Sequence, residues 1–312
     1  MLIRDMAIAL LVAFIWGANF TVIEVGLEEF SPLLFAALRF AAVAMYALLF
    51  LRWPKGSVSS VIAFGVLMGV LQFGLLFFAM DGHADAGTSA LLIQAQVPLT
   101  MLISMALFRE KVSARQWWGV LVCGAGLSLV FVGQEGRIDA FGFTLVSLAA
   151  LSFAGGNLVM RHSSTISGFQ LVAWSSLIPP IPLLALSVAT ESLNPIETMA
   201  SATGAAWLAL GFVALFATLI GFGLWGRLLS SHSPAKVLPF AMSVPLFAQL
   251  VAALALDEPF GIRELTSMVV VFTGALLCQR RPVMQECVAE RPTPPGGRHV
   301  TPITPAKCCS RI

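Results

Sequence analysis

From Met6 to Val25 the chain reads MAIALLVAFIWGANFTVIEV, twenty residues whose single charge is Glu24. A helix needs about 20 apolar residues to cross about 30 Å of hydrocarbon, so this stretch is long enough to span a bilayer. Nine further segments repeat the pattern, at 32–52, 58–79, 86–108, 115–133, 141–160, 167–189, 203–229, 234–256 and 262–279. Hydrocarbon offers no water to the backbone, so each segment is expected to be a helix. Barrel strands would instead be about ten residues long and alternating. The expected fold class is therefore all-α integral membrane, with ten transmembrane helices.

The composition agrees. Charged residues make up 11% of the chain and hydrophobic ones 58%, against about a quarter charged in an average soluble domain. Such a chain cannot cover itself with polar groups in water. The first segment does not read as a cleavable signal, being too long and lacking a small-residue cleavage pattern. Five cysteines are present, Cys123 and Cys278 in apolar stretches and Cys287, Cys308 and Cys309 near the end, with no disulfide framework.

Lys and Arg set the orientation. With the N-terminus inside, fifteen of the 18 fall on inner segments, Arg137 and Arg263 fall outside, and Arg39 lies within span two. Both termini are expected to be cytoplasmic, in a multi-pass protein of a bacterial inner membrane. Residues 281–312 are rich in Pro, Gly and basic residues and lack apolar periodicity, so a disordered tail is expected there.

The chain also repeats itself. WGAN ends at Asn19 and AGGN at Asn157, while FREKVSARQWWGVLV (108–122) resembles LDEPFGIRELTSMVV (256–270). The longer connection at 190–202, compared with 52–57, accounts for most of the growth in spacing. Two units follow, residues 1–138 and 139–280, with five spans each. Five is odd, so the second unit must enter the membrane from the opposite side, as in the inverted repeats of secondary transporters. The two amides then flank the midplane, with Asn19 about 9 Å from the outer end of its helix at about 1.5 Å per residue.

Polar groups inside the spans need a reason. Arg39 lies about 10 Å from the outer face, where a guanidinium costs about 2.5–3.5 kcal/mol. Glu24 or Asn19 could partner it; it fits a carboxylate anchor as well as an arginine tied to carbonyls or snorkelling outward. Thr88, Gln96, Thr100 and Ser104 recur at multiples of four and share one face of span four; Gln94 points elsewhere. Gln72 and Gln249 are lone amides. Each amide also fits helix–helix bonding, worth about 1 kcal/mol. Trp16 shares a face with Asn19, and Trp225 shares one with Thr218, whereas Trp117, Trp118 and Trp207 read as interfacial anchors. Gly65 and Gly69, and Ala217 and Gly221, offer small faces for close approach. Pro179, Pro180, Pro182, Pro239 and Pro245 should kink their helices. Acidic residues sit at ends and loops, so proton coupling has no obvious seat. His83, His162, His232 and His299 lack metal-ligand spacing, and no catalytic or phosphate-binding motif is present.

WGANF, LRF (38–40), QAQ (94–96), FREKVS, GGN, WSSLIPPIPL (174–183), ATLIGFGLWGRLL (217–229) and LDEPF together resemble the EamA branch of the drug/metabolite transporter superfamily, over about residues 6–280. The basic tail, Pro98, and Arg109 where the family more often has Gly are departures. The resemblance implies two inverted five-helix repeats around a central cavity built from spans one, three, four, six, eight and nine. It implies a secondary transporter, not an enzyme, exporting a small metabolite such as cysteine or O-acetylserine by alternating access. Trp16, Asn19, Arg39, Gln72, Gln96, Thr100, Asn157 and Trp225 are the candidate substrate contacts. A small molecule and the bilayer are the expected partners, with no cofactor, metal or nucleic acid, and a monomer is the expected working form. A broader exporter of drugs or pigments, and a non-transport membrane protein, remain the competing readings.

Overall fold

The computed structural model describes residues 2–54, 58–109, 112–132, 138–163, 166–191, 194–232, 237 and 240–278. They all lie in the compact unit Met1–Arg280. The expected tail, with Cys287, Cys308, Cys309 and its basic residues, lies outside the described residues, as do Lys55, Glu110, Lys111, Arg137, Lys236 and Pro239.

The described chain is helical, and its one β feature is an isolated bridge between Ala84 and Ile138. Among the described residues, six helices are long and apolar enough to cross a membrane: α1 (Ile3–Leu27), α2 (Pro32–Phe50), α3 (Val58–Met80), α4 (Ala86–Phe108), α6 (Ala140–His162) and α10 (Gly204–Leu228 of it). Between α4 and α6 lies α5 (Ala114–Val132). After α6 come α7 (Gly168–Ser175) and α8 (Pro180–Thr190), bent by 40° at their junction, which make a seventh span if taken as one. The Ser176–Pro179 break sits at Pro179 and Pro180, because a proline ring clashes with the preceding turn and donates no hydrogen bond. A short α9 (Pro195–Ser201) precedes α10, which runs through Gly204–Gly211, Phe212–Ile220 and Gly221–Ser231. The chain closes with α11 (Val244–Ala255) and α12 (Ile262–Cys278). Within expected span nine, 234–256, the helix Val244–Ala255 follows a turn at Met242 and Ser243 and carries Pro245 in its first turn, where a missing N–H costs nothing.

Large apolar side chains point outward on most of these helices, among them Leu49, Leu121, Val188, Leu208 and Leu254. Such a surface suits lipid and not water. Trp117, Trp118 and Trp207 are also exposed, as an interfacial role requires. Inside, small residues set the distances. A Cβ at Gly17 would stand 2.8 Å from Val244 O and Ala248 N, so α1 lies directly against α11. A Cβ at Gly65 would meet Ser175 O at 2.7 Å, and one at Gly69 would overlap Pro179, which seats α3 on the α7–α8 break.

Carboxylates cap the helices, since helix N-termini carry unpaired N–H groups and partial positive charge. Glu191 accepts from Leu33 N (2.7 Å) and Ser31 Oγ (2.6 Å) at the start of α2. Glu24 accepts from Ala86 N (3.0 Å) and Glu258 from Gly87 N (3.3 Å) at the start of α4. Glu29 accepts from Thr203 N (2.7 Å) before α10. Asp139 caps α6 through Gly142 N (2.6 Å), and that bond, followed by its contact with His83, holds its carboxyl below the usual range.

Two helices contain π-helical stretches, Gly65–Gln72 in α3 and Phe212–Ile220 in α10. The packing also occurs in matched pairs. Helix α1 packs on α11 and α10; α6 packs on α4 and α3. Helix α2 meets α10, and α7 meets α3; α2 with α8, α4 with α11, and α5 with α12 complete the set. Arg109 and Asp257 both adopt left-handed backbone, at φ 52° and 54°. Each stands immediately before a glutamate, Glu110 and Glu258.

Candidate functional site

Between α1, α2, α3, α4, α6, α10 and the start of α11 lies a cavity of about 260 Å³. Five of the eight candidates line it: Trp16, Asn19, Arg39, Gln72 and Gln96. Thr100, Asn157 and Trp225 are not among its lining residues.

Among the described residues that line it, Arg39 is the one with a charge, and it is only 2% exposed. One of its five N–H donors, on Nη2, reaches Thr218 Oγ1 at 3.0 Å, and Thr218 in turn donates to Val213 O at 2.9 Å. The guanidinium lies over the Phe73 ring, 3.8 Å from its centroid. Nε and Nη1 have no hydrogen-bond partner among the described residues. The partner expected in Glu24 is not found there, because that carboxylate is committed to capping α4. Asn19 does not bond Arg39 either; its Oδ1 is buried without a partner. On its other side Arg39 borders a pocket of about 20 Å³, room for about one water.

The π-helical stretches shape this centre. In α10 the Gly221 N–H reaches back five residues to Phe216 O, and the Ala217 carbonyl accepts the Trp16 indole N–H at 2.9 Å. A Cβ on Gly221 would stand 2.6 Å from Trp16 Nε1, so this close approach needs glycine. Trp225 packs behind Trp16, with centroids 5.3 Å apart, and so supports the wall without forming it. In α3 the π-helical stretch ends at Gln72, which is 2% exposed with Oε1 unpartnered.

On α4 the expected stripe is interrupted. A 3₁₀ turn at Ile93–Ala95 winds with three residues per turn, so the four-residue spacing no longer tracks one face. Gln96 and also Gln94 line the cavity, whereas Thr88 and Ser104 are buried elsewhere. Asn157 on α6 donates to Gln96 Oε1 at 2.6 Å, and Thr100 donates to the Gln96 carbonyl at 2.6 Å. These two candidates therefore act on Gln96 and not on the cavity directly. With Oε1 occupied, Gln96 offers Nε2 as its free amide end.

The sequence reading missed the apolar lining, chiefly Phe20, Phe73, Phe153, Phe222 and Met242. With 23 phenylalanines in the chain, no local signal separates a cavity wall from a lipid-facing ring. Among the described residues, no three His, Cys, Asp or Glu side chains stand close enough to hold a metal ion.

Comparison with known proteins follows the same lines. The sequence model of the EamA-like transporter family matches twice, over residues 4–132 and 140–279. A relative from Escherichia coli (strain K12), named a probable amino-acid metabolite efflux pump, is 34% identical over 278 residues, covering 87% of this chain and 93% of its own. The uncharacterized transporter YoaV of Bacillus subtilis is 28% identical, covering 85% of this chain and 93% of its own. The uncharacterized inner membrane transporter YedA of Escherichia coli (strain K12) is 27% identical over 84% of this chain and 87% of its own. A solved crystal structure aligns over 86% of this chain and 95% of its own, with a TM-score of 0.58 and 18% identity, which marks a shared fold.

Proposed function

The chain belongs to the EamA-like transporter family, a multi-pass membrane transporter and not an enzyme, and we propose that it exports a small amino acid or amino-acid metabolite, such as cysteine or O-acetylserine, by alternating access. The observation that carries the substrate reading is the central cavity itself. Its volume of about 260 Å³ falls below the roughly 300–1,000 Å³ of pockets that hold drug-sized ligands. Its polar groups are one guanidinium and a few amides, the donors and acceptors that a small carboxylate-bearing metabolite needs. The name of the 34% identical relative points the same way.

Ten spans in two inverted repeats, 1–138 and 139–280, form the architecture of this proposal. The double match of the family model supports it. So do the matched helix pairs, the π-helical stretches in α3 and α10, and the left-handed residues before Glu110 and Glu258. Arg39 is the carboxylate anchor, Asn19, Gln72 and Gln96 are polar contacts, and Trp16 is a wall. Asn157 and Thr100 orient Gln96, and Trp225 braces Trp16. The broken α7–α8 and the glycine faces of α3 supply surfaces that slide as access alternates. The cationic bias of the connections supports cytoplasmic termini in an inner-membrane protein, and the proposed working form is a monomer.

The aromatic lining favours a second reading, a broader exporter of bulkier metabolites. Reconstitution into proteoliposomes separates the two. Counterflow of labelled cysteine that is blocked by O-acetylserine but not by a bulky aromatic drug supports the first. Transport of the drug with no effect of any amino acid replaces it with the second.

A further inference from the structure

We propose that the cavity reads both ends of a zwitterion with uncharged amides facing a single cation, and so selects α-amino acids without net positive charge. The inference rests on the exporter reading and adds how the ammonium end is recognised and which charge classes are refused.

Arg39, Asn19 and Gln72 are each more than nine-tenths buried, and each lines the cavity. Their chemistry differs in kind. Arg39 carries N–H groups, which only donate, and among the described residues only its Nη2 has a hydrogen-bond partner; Asn19 and Gln72 each carry a neutral amide whose oxygen accepts and is buried without a hydrogen-bond partner among those residues. Buried polar groups are ordinarily paired, and each exception calls for an explanation. A guanidinium and two neutral amides on the wall of one cavity suit a ligand that brings both a carboxylate and an N–H₃⁺ group. The carboxylate takes the edge of the guanidinium, whose face is already covered by Phe73. The ammonium takes the carbonyl oxygens of the two amides.

The amide choice has a consequence. A carboxylate at Asn19 or Gln72 would pair with Arg39 and close the site on itself. Neutral acceptors leave Arg39 unneutralised until the ligand carboxylate arrives. The cavity then disfavours lysine, arginine and simple amines by like-charge repulsion, because Coulomb energies are large where water is excluded. A deaminated acid keeps the Arg39 contact and loses only the amide contacts.

Three thiols of nearly equal size isolate the two ends: cysteine, cysteamine without the carboxylate, and 3-mercaptopropionate without the ammonium. The experiment is competition against counterflow of labelled cysteine by full-length protein in proteoliposomes under reducing conditions, with lysine as the cationic control. The expected half-inhibiting concentration rises about tenfold for 3-mercaptopropionate and more than 100-fold for cysteamine and lysine. Asn19→Leu and Gln72→Met should narrow the gap between cysteine and 3-mercaptopropionate while leaving the rejection of cysteamine intact. Cysteamine competing as well as cysteine, or 3-mercaptopropionate equalling cysteine in the wild type, overturns the zwitterion site while cysteine export stands. Absence of counterflow for labelled cysteine and for every other labelled amino acid tried overturns the export reading and this inference together. The wild-type series alone decides the matter if a variant does not fold.

Discussion

Replacing Arg39 by methionine should separate binding from stability. The guanidinium is 2% exposed, has one hydrogen bond among the described residues, to Thr218, and lies over Phe73, with Phe40 and Phe77 farther off at 5.2 and 5.9 Å. Removing it relieves an insertion cost of about 2.5–3.5 kcal/mol. It also forfeits a charged hydrogen bond worth about 1.5–3 kcal/mol and a desolvated cation–π contact of about 2 kcal/mol. These terms oppose, leaving a net change within about 2.5 kcal/mol, or a Tm shift of at most about 10 °C for a chain of this size. Nothing charged is orphaned, since Glu24 is spent on the α4 N-terminus and Thr218 keeps its bond to Val213. Breaking a buried ion pair, by contrast, costs about 3–5 kcal/mol. Two lost bonds to a substrate carboxylate amount to at least about 3 kcal/mol, a fall of more than 100-fold in apparent affinity. Melting of the purified protein and counterflow in proteoliposomes read the two effects separately. A Tm lowered by more than 10 °C together with unchanged affinity in the surviving protein would refute the reasoning and make Arg39 a structural tie between α2 and α10.

Asn157→Ala should weaken apparent substrate affinity about tenfold through loss of the Gln96 contact, and the double variant with Gln96→Ala should cost less than the two single effects combined; strict additivity in a binding titration would count against it. Gly17→Ala should lower stability by about 1–3 kcal/mol, because the new methyl meets Val244 O and Ala248 N at 2.8 Å, and an unshifted melting curve would contradict that packing. Arg109→Gly should raise stability by about 1 kcal/mol by removing left-handed strain at φ 52°, again read by melting. Asp139→Asn should destabilise at neutral pH. The Asp139 carboxyl is held below its ordinary value by Gly142 N–H and His83, so its contribution is full above the unfolded pKa of about 3.9. It fades as pH falls through the lowered folded value. The gap between variant and wild type should therefore close only in acid, and a gap that persists there would reject the assignment.

The sequence by itself determined the solvent and the element type. Runs of about twenty apolar residues admit little besides helices in lipid, because hydrocarbon leaves no other partner for the backbone. The prolines at 179 and 180 were enough to anticipate the α7–α8 bend, and Gly65 and Gly69 the close approach of α3. WGAN and AGGN singled out Asn19 and Asn157, and Arg39 stood out by its cost alone.

Only the tertiary structure decided which of these polar groups meets the cavity. Asn19 lines it, whereas its counterpart Asn157 stands behind Gln96, a difference set by neighbouring helices and invisible in either tetrapeptide. The regular stripe on α4 dissolved because three residues of 3₁₀ helix change the angular step. That turn also brought in Gln94, which helical spacing had turned away. Glu24 was drawn from Arg39 to the α4 N-terminus by unpaired N–H groups that exist only once Ala86 begins a helix there. Helix periodicity gives the direction of a side chain on its own axis, but what lies in that direction depends on how the helices are rotated against one another, and packing sets that rotation.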